Sequence, residues 1–355
     1  QLGFGRIKGK TGRGVCENAP QGKEKHCALG RFAHSARFFT FSHEDIHNTE
    51  RKFAMKKKKM HTGTLGRLKS DVSAYWLILP SLLCLLLIVW RPIFTGMYLS
   101  LFKLQGYTPL SFAGLENYRN VLNETLFNTT LANTFKYVGY SLVVGFVPPI
   151  FFAIMINEIR YMKSFVKFSI YFPSICPAII TSLMWTLIYD PSAGGLLNNI
   201  LIKLGMEPKL WLNDPKNVIF YIIVTMTWAG FGGAAILYLS SLQSISKELY
   251  EAAYIDGAGL WQRTWHITLP QISGIILLML IKNISGVFQV FTEPMTMTGG
   301  GPNNASVSLA LLGYRYAFVN FKIDKALAVG VITFILLFIM TLFYFKVEKK
   351  VNNDA

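Results

Sequence analysis

Residues 218–242 read VIFYIIVTMTWAGFGGAAILYLSSL. No side chain in the stretch carries a charge. As a helix it would rise about 37 Å, at about 1.5 Å per residue, against a bilayer core of about 30 Å. A segment of this length and polarity is a membrane span, and it decides the fold class. The whole chain agrees. Of 355 residues, 52% are hydrophobic and only 15% are charged, where soluble domains carry about a quarter.

Working outward, five more apolar blocks of this kind are found, at about 74–101, 131–156, 169–188, 272–291 and 326–345. The chain is therefore read as an all-α membrane protein with six transmembrane helices. Arg91-Pro92 interrupts the first block, and Arg91 is placed toward its outer part, where it snorkels. Pro148-Pro149 lie in the second block, and Pro173 and Pro177 in the third. Breaks of this kind free backbone carbonyls at membrane depth. They suit helices that pack on one another or line a wet cavity.

The net charge of +16 is read as span-flanking Lys and Arg, not as a nucleic-acid surface. Basic residues gather in segment 55–73, in the loop with Arg160, Lys163 and Lys167, and after Phe345. The positive-inside rule then puts both termini and the loop 244–270 in the cytosol. Residues 1–54 have no apolar segment of membrane length and precede Met55-Lys56-Lys57-Lys58-Lys59. They are expected to be a non-native or disordered extension, followed by a basic cytosolic stub at 55–73, the span domain at 74–345 and a tail at 346–355. Gly5 to Thr11 ends in GKT but lacks the glycine spacing of a phosphate-binding loop. Cys16, Cys27, Cys84 and Cys176 form no CxxC pair, so no metal site or disulfide framework is expected.

The loop after the quoted span contains EAAYIDGAGLWQRTWHITLP, residues 251–270. Ser246 is a capping residue, with Glu248 in the first turn of a helix behind it. Leu249, Ala252, Ala253 and Asp256 recur at helical spacing. Gly257 suits the left-handed turn after a helix end. A second short helix is expected over about 258–267. Small Ala252 and Ala253 beside Glu251 and Asp256 would let a partner backbone approach. Trp261 and Trp265 would equally suit a helix lying on headgroups. The spacing leaves both open.

Glu251-Ala252-Ala253, Gly257 and Ile267-x-Leu269-Pro270 resemble the "EAA" loop of permease subunits of binding-protein-dependent ATP-binding-cassette importers. Further segments resemble the carbohydrate-uptake, MalF/UgpA-type group: Asn133-Thr134 opening the second span, Phe172-Pro173, Gly194-Gly195-Leu196-Leu197-Asn198 and Thr298-Gly299-Gly300-Gly301-Pro302. The resemblance covers about 72–346. It implies a non-catalytic permease of the bacterial or archaeal cytoplasmic membrane. It implies that Glu251, Ala252, Ala253, Asp256, Gly257 and Ala258 form a coupling helix on an ATPase. The implied partners are a second, homologous permease, two cytosolic ATPase subunits, membrane lipid and an extracytoplasmic sugar-binding protein. This chain would hold no cofactor, because ATP and Mg would be used by the ATPases.

A sugar path needs polar and aromatic side chains at membrane depth. Asn283, Gln289 and Glu293 recur along the fifth block, with Gln289 and Glu293 one helical step apart. Tyr137, Trp185, Tyr189 and Trp228 offer aromatic faces, which ordinary packing would also use. An anionic cargo would want an Arg or Lys in the path, and only Arg91 is available, which favours a neutral sugar over glycerol-phosphate. A six-span channel or secondary carrier is the alternative of another class. The absence of an acid deep in any span argues against it.

Overall fold

The computed structural model describes residues 72–159 and 161–354. The extension 1–54, nearly all of the basic stub, the GKT segment, Cys16, Cys27 and Arg160 lie outside the described residues. The chain divides between Leu83 and Cys84 into two units, and the hydrophobic core lies in the second.

Four helices are long and apolar enough to cross a membrane: Tyr75–Leu99, Thr125–Glu158, Val218–Leu242 and Ile323–Lys350. Among the described residues, two bent pairs bring the number to as many as six where each pair is one span. Lys163–Ile175 meets Ala178–Ile188 at 95°, and Leu260–Gln271 meets Ser273–Phe288 at 72°. The third block is thus not a single rod, and the fifth is bent at its start, where the loop helix meets it. In the third, Pro177 sits just before Ala178 and lacks the N–H that would continue the ladder. The second helix starts at Thr125, so Asn133-Thr134 stand two turns inside it, not at its opening. Pro148-Pro149 open the stretch Val147–Glu158 after a wide π turn at Ser141–Phe146, so the break is absorbed without a gap. The sixth helix begins at Ile323 and continues to Asp354, so the expected tail is helical. A small hairpin, Phe102–Gln105 with Thr108–Phe112, is the one β element among the described residues.

The first span is exposed along its apolar length, Arg91 included. Water would not tolerate such a surface, but hydrocarbon does. Inside the bundle, the backbone of the fourth span packs tightly on the third at Gly232. A Cβ there would lie 2.1 Å from the Ile170 carbonyl oxygen, so only glycine fits. Ser174 Oγ donates to the Ala229 carbonyl at 2.7 Å beside it.

Buried side chains form two clusters. The larger contains Phe127, Tyr137, Tyr189, Ile222, Phe288, Leu311 and Tyr316. The smaller contains Ala153, Tyr238, Leu239, Leu242 and Ile272, and lies where the fourth span runs into the 247–263 loop. The clusters mark two ends of the bundle, and the ends are built differently.

Candidate translocation cavity and docking loop

At the larger-cluster end the backbone is clasped. Gly299 and Gly300 have φ of +57° and +90°. A Cβ on Gly300 would lie 2.6 Å from Arg315 Nη2 and 2.8 Å from Val307 Cγ2. Arg315 donates to the Gly299 carbonyl and, at 2.9 Å, to Asn304 Oδ1. From the second span, Asn133 Nδ2 donates to the Asn304 carbonyl and Tyr137 Oη to the Ser306 carbonyl, each at 2.9 Å. Ser306 Oγ donates to the Gly301 carbonyl at 2.7 Å. The polar groups of the loop are thus answered at both its exposed and its buried sides; at the buried Ser306, leaving one unpaired would cost about 1–3 kcal/mol.

Next to it lies the 190–213 segment, held by one amide. Asn198 Nδ2 donates to the Pro191 carbonyl at 2.9 Å and the Lys209 carbonyl at 3.0 Å. Its Oδ1 accepts from Lys209 N at 2.9 Å and Trp211 Nε1 at 2.8 Å. Gly195 is required because a Cβ would meet the Asp190 carbonyl oxygen at 2.2 Å. Glu124, just before the second span, accepts from Lys325 and from Tyr316, and so joins that span to the sixth helix. Partial burial alone would raise the Glu124 carboxyl. The Lys325 and Tyr316 hydrogen bonds outweigh it and hold the group below its ordinary value.

The opposite end carries the 247–263 loop. Ser246 caps Lys247–Ile255 by accepting from Glu248 N at 3.3 Å, as its position predicts. The helix closes with a paired turn: Gly257 N donates to the Tyr254 carbonyl at 3.1 Å and Ala258 N to the Ala253 carbonyl at 2.9 Å. Gly257 has φ +75° and open space where a Cβ would go, so conformation alone demands glycine. The second helix starts at Leu260 and runs on to Gln271, past the expected end at Ile267. Tyr250 Oη and Thr268 Oγ1, 3.0 Å apart, tie the two helices. Glu251, Ala252, Asp256 and Gly257 are exposed; Ala253 and Ala258 are half-buried. Tyr254 and Ile255, 74% and 85% exposed, project between them. The spacing of Leu249, Ala252 and Ala253 did not single these two out, although two large apolar side chains next to Asp256 were the available signal.

Between the second, fourth and fifth spans lies a cavity of about 550 Å³. Its walls include Gly145, Gly230, Gly233 and Gly286, and the missing side chains leave its width. Asn283, Gln289 and Glu293 are brought together on it. They do not share one helix face, as the four-residue step suggested. The helix Ser273–Phe288 ends before Gln289, and Glu293 belongs to Thr292–Thr298. Asn283 Nδ2 donates to Ser141 Oγ of the second span at 3.2 Å, and Gln289 Nε2 to the Ser285 carbonyl at 3.0 Å.

Tyr137 is fully buried with its hydroxyl engaged in the clasp, away from the cavity wall. Trp185 and Trp228 meet edge to face at 5.8 Å, in an aromatic group with Tyr189, Trp211 and Tyr221 outside the cavity lining. Arg91 is also absent from that lining. The cation that is present is Lys282, which the sequence reading passed over inside an otherwise apolar block. A lone charge in such a run was the signal.

Comparison with known proteins now fixes the class. The family of binding-protein-dependent transport system inner membrane components matches residues 138–353. The chain belongs to this family, and is a multi-pass membrane permease of the ABC transporter class. It is 33% identical to the trehalose/maltose transport system permease protein MalF of Thermococcus litoralis, over 78% of this chain and 93% of that one. It is 30% identical to the arabinooligosaccharides transport system permease protein AraP of Bacillus subtilis, over 69% and 79% of the two chains. Its fold matches a bacterial ABC transporter involved in the import of the acidic polysaccharide alginate. There the TM-score is 0.71 at 25% identity, covering 81% of this chain and 98% of that one.

Proposed function

We propose that this chain is one of two permease subunits of an importer that takes a sugar or oligosaccharide from an extracytoplasmic binding protein and moves it inward. The observation that carries the reading is the segment 247–271, a capped helix, a left-handed glycine turn and a second helix that meets the apolar helix Ser273–Phe288 at a 72° bend. Glu251, Ala252, Ala253, Asp256, Gly257 and Ala258 dock an ATPase subunit there, with Tyr254 and Ile255 entering its cleft. Two such ATPases bind and hydrolyse ATP with Mg, so this chain performs no chemistry of its own. The loop and both termini then lie in the cytosol. The clasped end faces outward and receives the binding protein. A sugar cargo is supported by the relatives, whose names concern trehalose and maltose and arabinooligosaccharides, and by the alginate importer.

Closure of the ATPases would be passed through a loop that is rigid within itself yet loosely attached. The cavity, walled by glycines and by Asn283, Gln289 and Glu293, supplies the path. The test is gentle extraction of the C-terminally tagged chain from its native membrane, with mass spectrometry of what accompanies it. Two copies of a P-loop ATPase and one different permease per tagged chain are expected. A chain that comes out alone or as a homo-oligomer, unaffected by Glu251 or Gly257 substitutions, would overturn the reading and return the six-span carrier.

A further inference from the structure

One charge inside the bundle has no part in the mechanism proposed above. Lys282 lies nine residues after Ser273 in the fifth span, about 14 Å along the helix, half the depth of a bilayer core of about 30 Å. It is exposed, it lines the cavity, and it has no ion pair among the described residues. A cation at that depth is costly unless it meets water or an anion. Lys136, the cation in the second span, makes a useful contrast: it is exposed but off the cavity wall. It stands in the part of the second span nearer Glu124, where a long side chain reaches the headgroups.

Lys282 has hydrogen-bonding neighbours suited to a polar ring. Asn283 and Gln289 line the same wall. The opposing charge on the wall is Glu293, beyond the end of the span. Burial pushes its carboxyl above the ordinary range, and no ion pair joins it to Lys282.

Resting on the importer reading above, we infer that the cargo is a saccharide bearing an acidic group, and that Lys282 receives that group as it crosses the cavity beside Asn283 and Gln289. An ammonium is a point donor that fits a carboxylate without a fixed approach geometry, and in a site of low dielectric it discriminates strongly against a neutral ring. The neutral-sugar expectation rested on Arg91 being the sole candidate cation, and the cavity lining removes that premise.

The complete importer, with its ATPases, partner permease and binding protein, is placed in vesicles with ATP on the ATPase side. It is offered oligosaccharides from starch, arabinan, pectin and alginate hydrolysates, and mass spectrometry reads what is transported. Uronate-bearing oligomers are expected to be carried. K282M should reduce their uptake about tenfold, the size of one lost charge-assisted hydrogen bond. K282R should stay within about threefold, less than half of such a bond. Co-purification with the ATPases and their basal hydrolysis confirm that each variant has assembled. An assembled K282M that is unchanged, or transport confined to neutral oligomers, overturns this inference alone. Transport of no saccharide of either kind overturns the sugar-importer reading beneath it. If K282M fails to assemble while K282R is normal, Lys282 instead meets an acid of the partner permease, and the inference also falls.

Discussion

The two ends of this bundle solve opposite problems with similar means. The clasped end buries its turns. Asn133 and Tyr137 of the second span hold the Asn304 and Ser306 carbonyls by side-chain hydrogen bonds, Asn198 and Ser306 brace the loops themselves, and Gly300 lets Arg315 and Val307 come close. The 247–263 end is also ordered, but its order is internal: a cap, a glycine turn and one hydroxyl pair. Its large side chains stand in solvent. A loop fixed to the spans can hold a shape through a conformational cycle. A loop fixed mainly to itself can move as one body and still present the same surface.

Substitutions should separate the two. The largest loss of stability is expected from Asn198→Leu, which strips two carbonyls and two N–H groups of their shared partner. It should cost about 3 kcal/mol or more in detergent unfolding, with assembly lost alongside. A variant as stable as the parent would mean that water replaces the amide, and that the clasp is not what holds this end.

Gly257→Val should behave in the opposite way. A β-branched residue at φ +75° costs about 1–2 kcal/mol locally, which in a domain of this size moves the melting temperature by only a few degrees. Cargo-stimulated ATP hydrolysis should nevertheless fall about tenfold. Unchanged uptake would break the contrast between the ends, because the loop would then transmit nothing.

Glu124→Gln sharpens the picture at the clasped end through pH. The folded carboxyl is held below its ordinary value, so its stabilising contribution is complete above the unfolded value. It disappears as pH falls from about 5 through the folded value. The parent should lose about 1 kcal/mol over that window relative to the variant, the scale of a partly exposed ion pair. Parallel acid-unfolding curves would show that Lys325 and Tyr316 leave Glu124 energetically free. The smallest effect is expected for Tyr250→Phe, which removes one hydroxyl contact between the loop helices and should cost about 0.5 kcal/mol. Hydrogen exchange confined to residues 247–271 would read it.

Legibility followed the range of the interaction. The cap at Ser246 and the turn at Gly257 involve groups a few residues apart, so local chemistry predicted both. The six apolar blocks were legible because the bilayer sets their length. Their bends were not: Pro173 and Pro177 showed where the ladder would fail, but neighbouring helices set the 95° turn. The same limit acted on the site. Gln289 and Glu293 were placed on one face by assuming that the helix continued, and it ends at Phe288. Tyr137 offered an aromatic face in sequence, but its hydroxyl meets a carbonyl 169 residues away.

What the sequence determined by itself is therefore the solvent and the local folds: uncharged runs that only lipid can accept, and a capped helix and glycine turn between two of them. Only the tertiary structure decided which polar groups share a space. It sealed Tyr137, set Trp185 and Trp228 in an aromatic cluster, and opened a glycine-walled cavity onto Lys282, Asn283 and Gln289. The reason is physical. Hydropathy and capping act between neighbours along the chain, while a cavity is what remains when distant helices have packed.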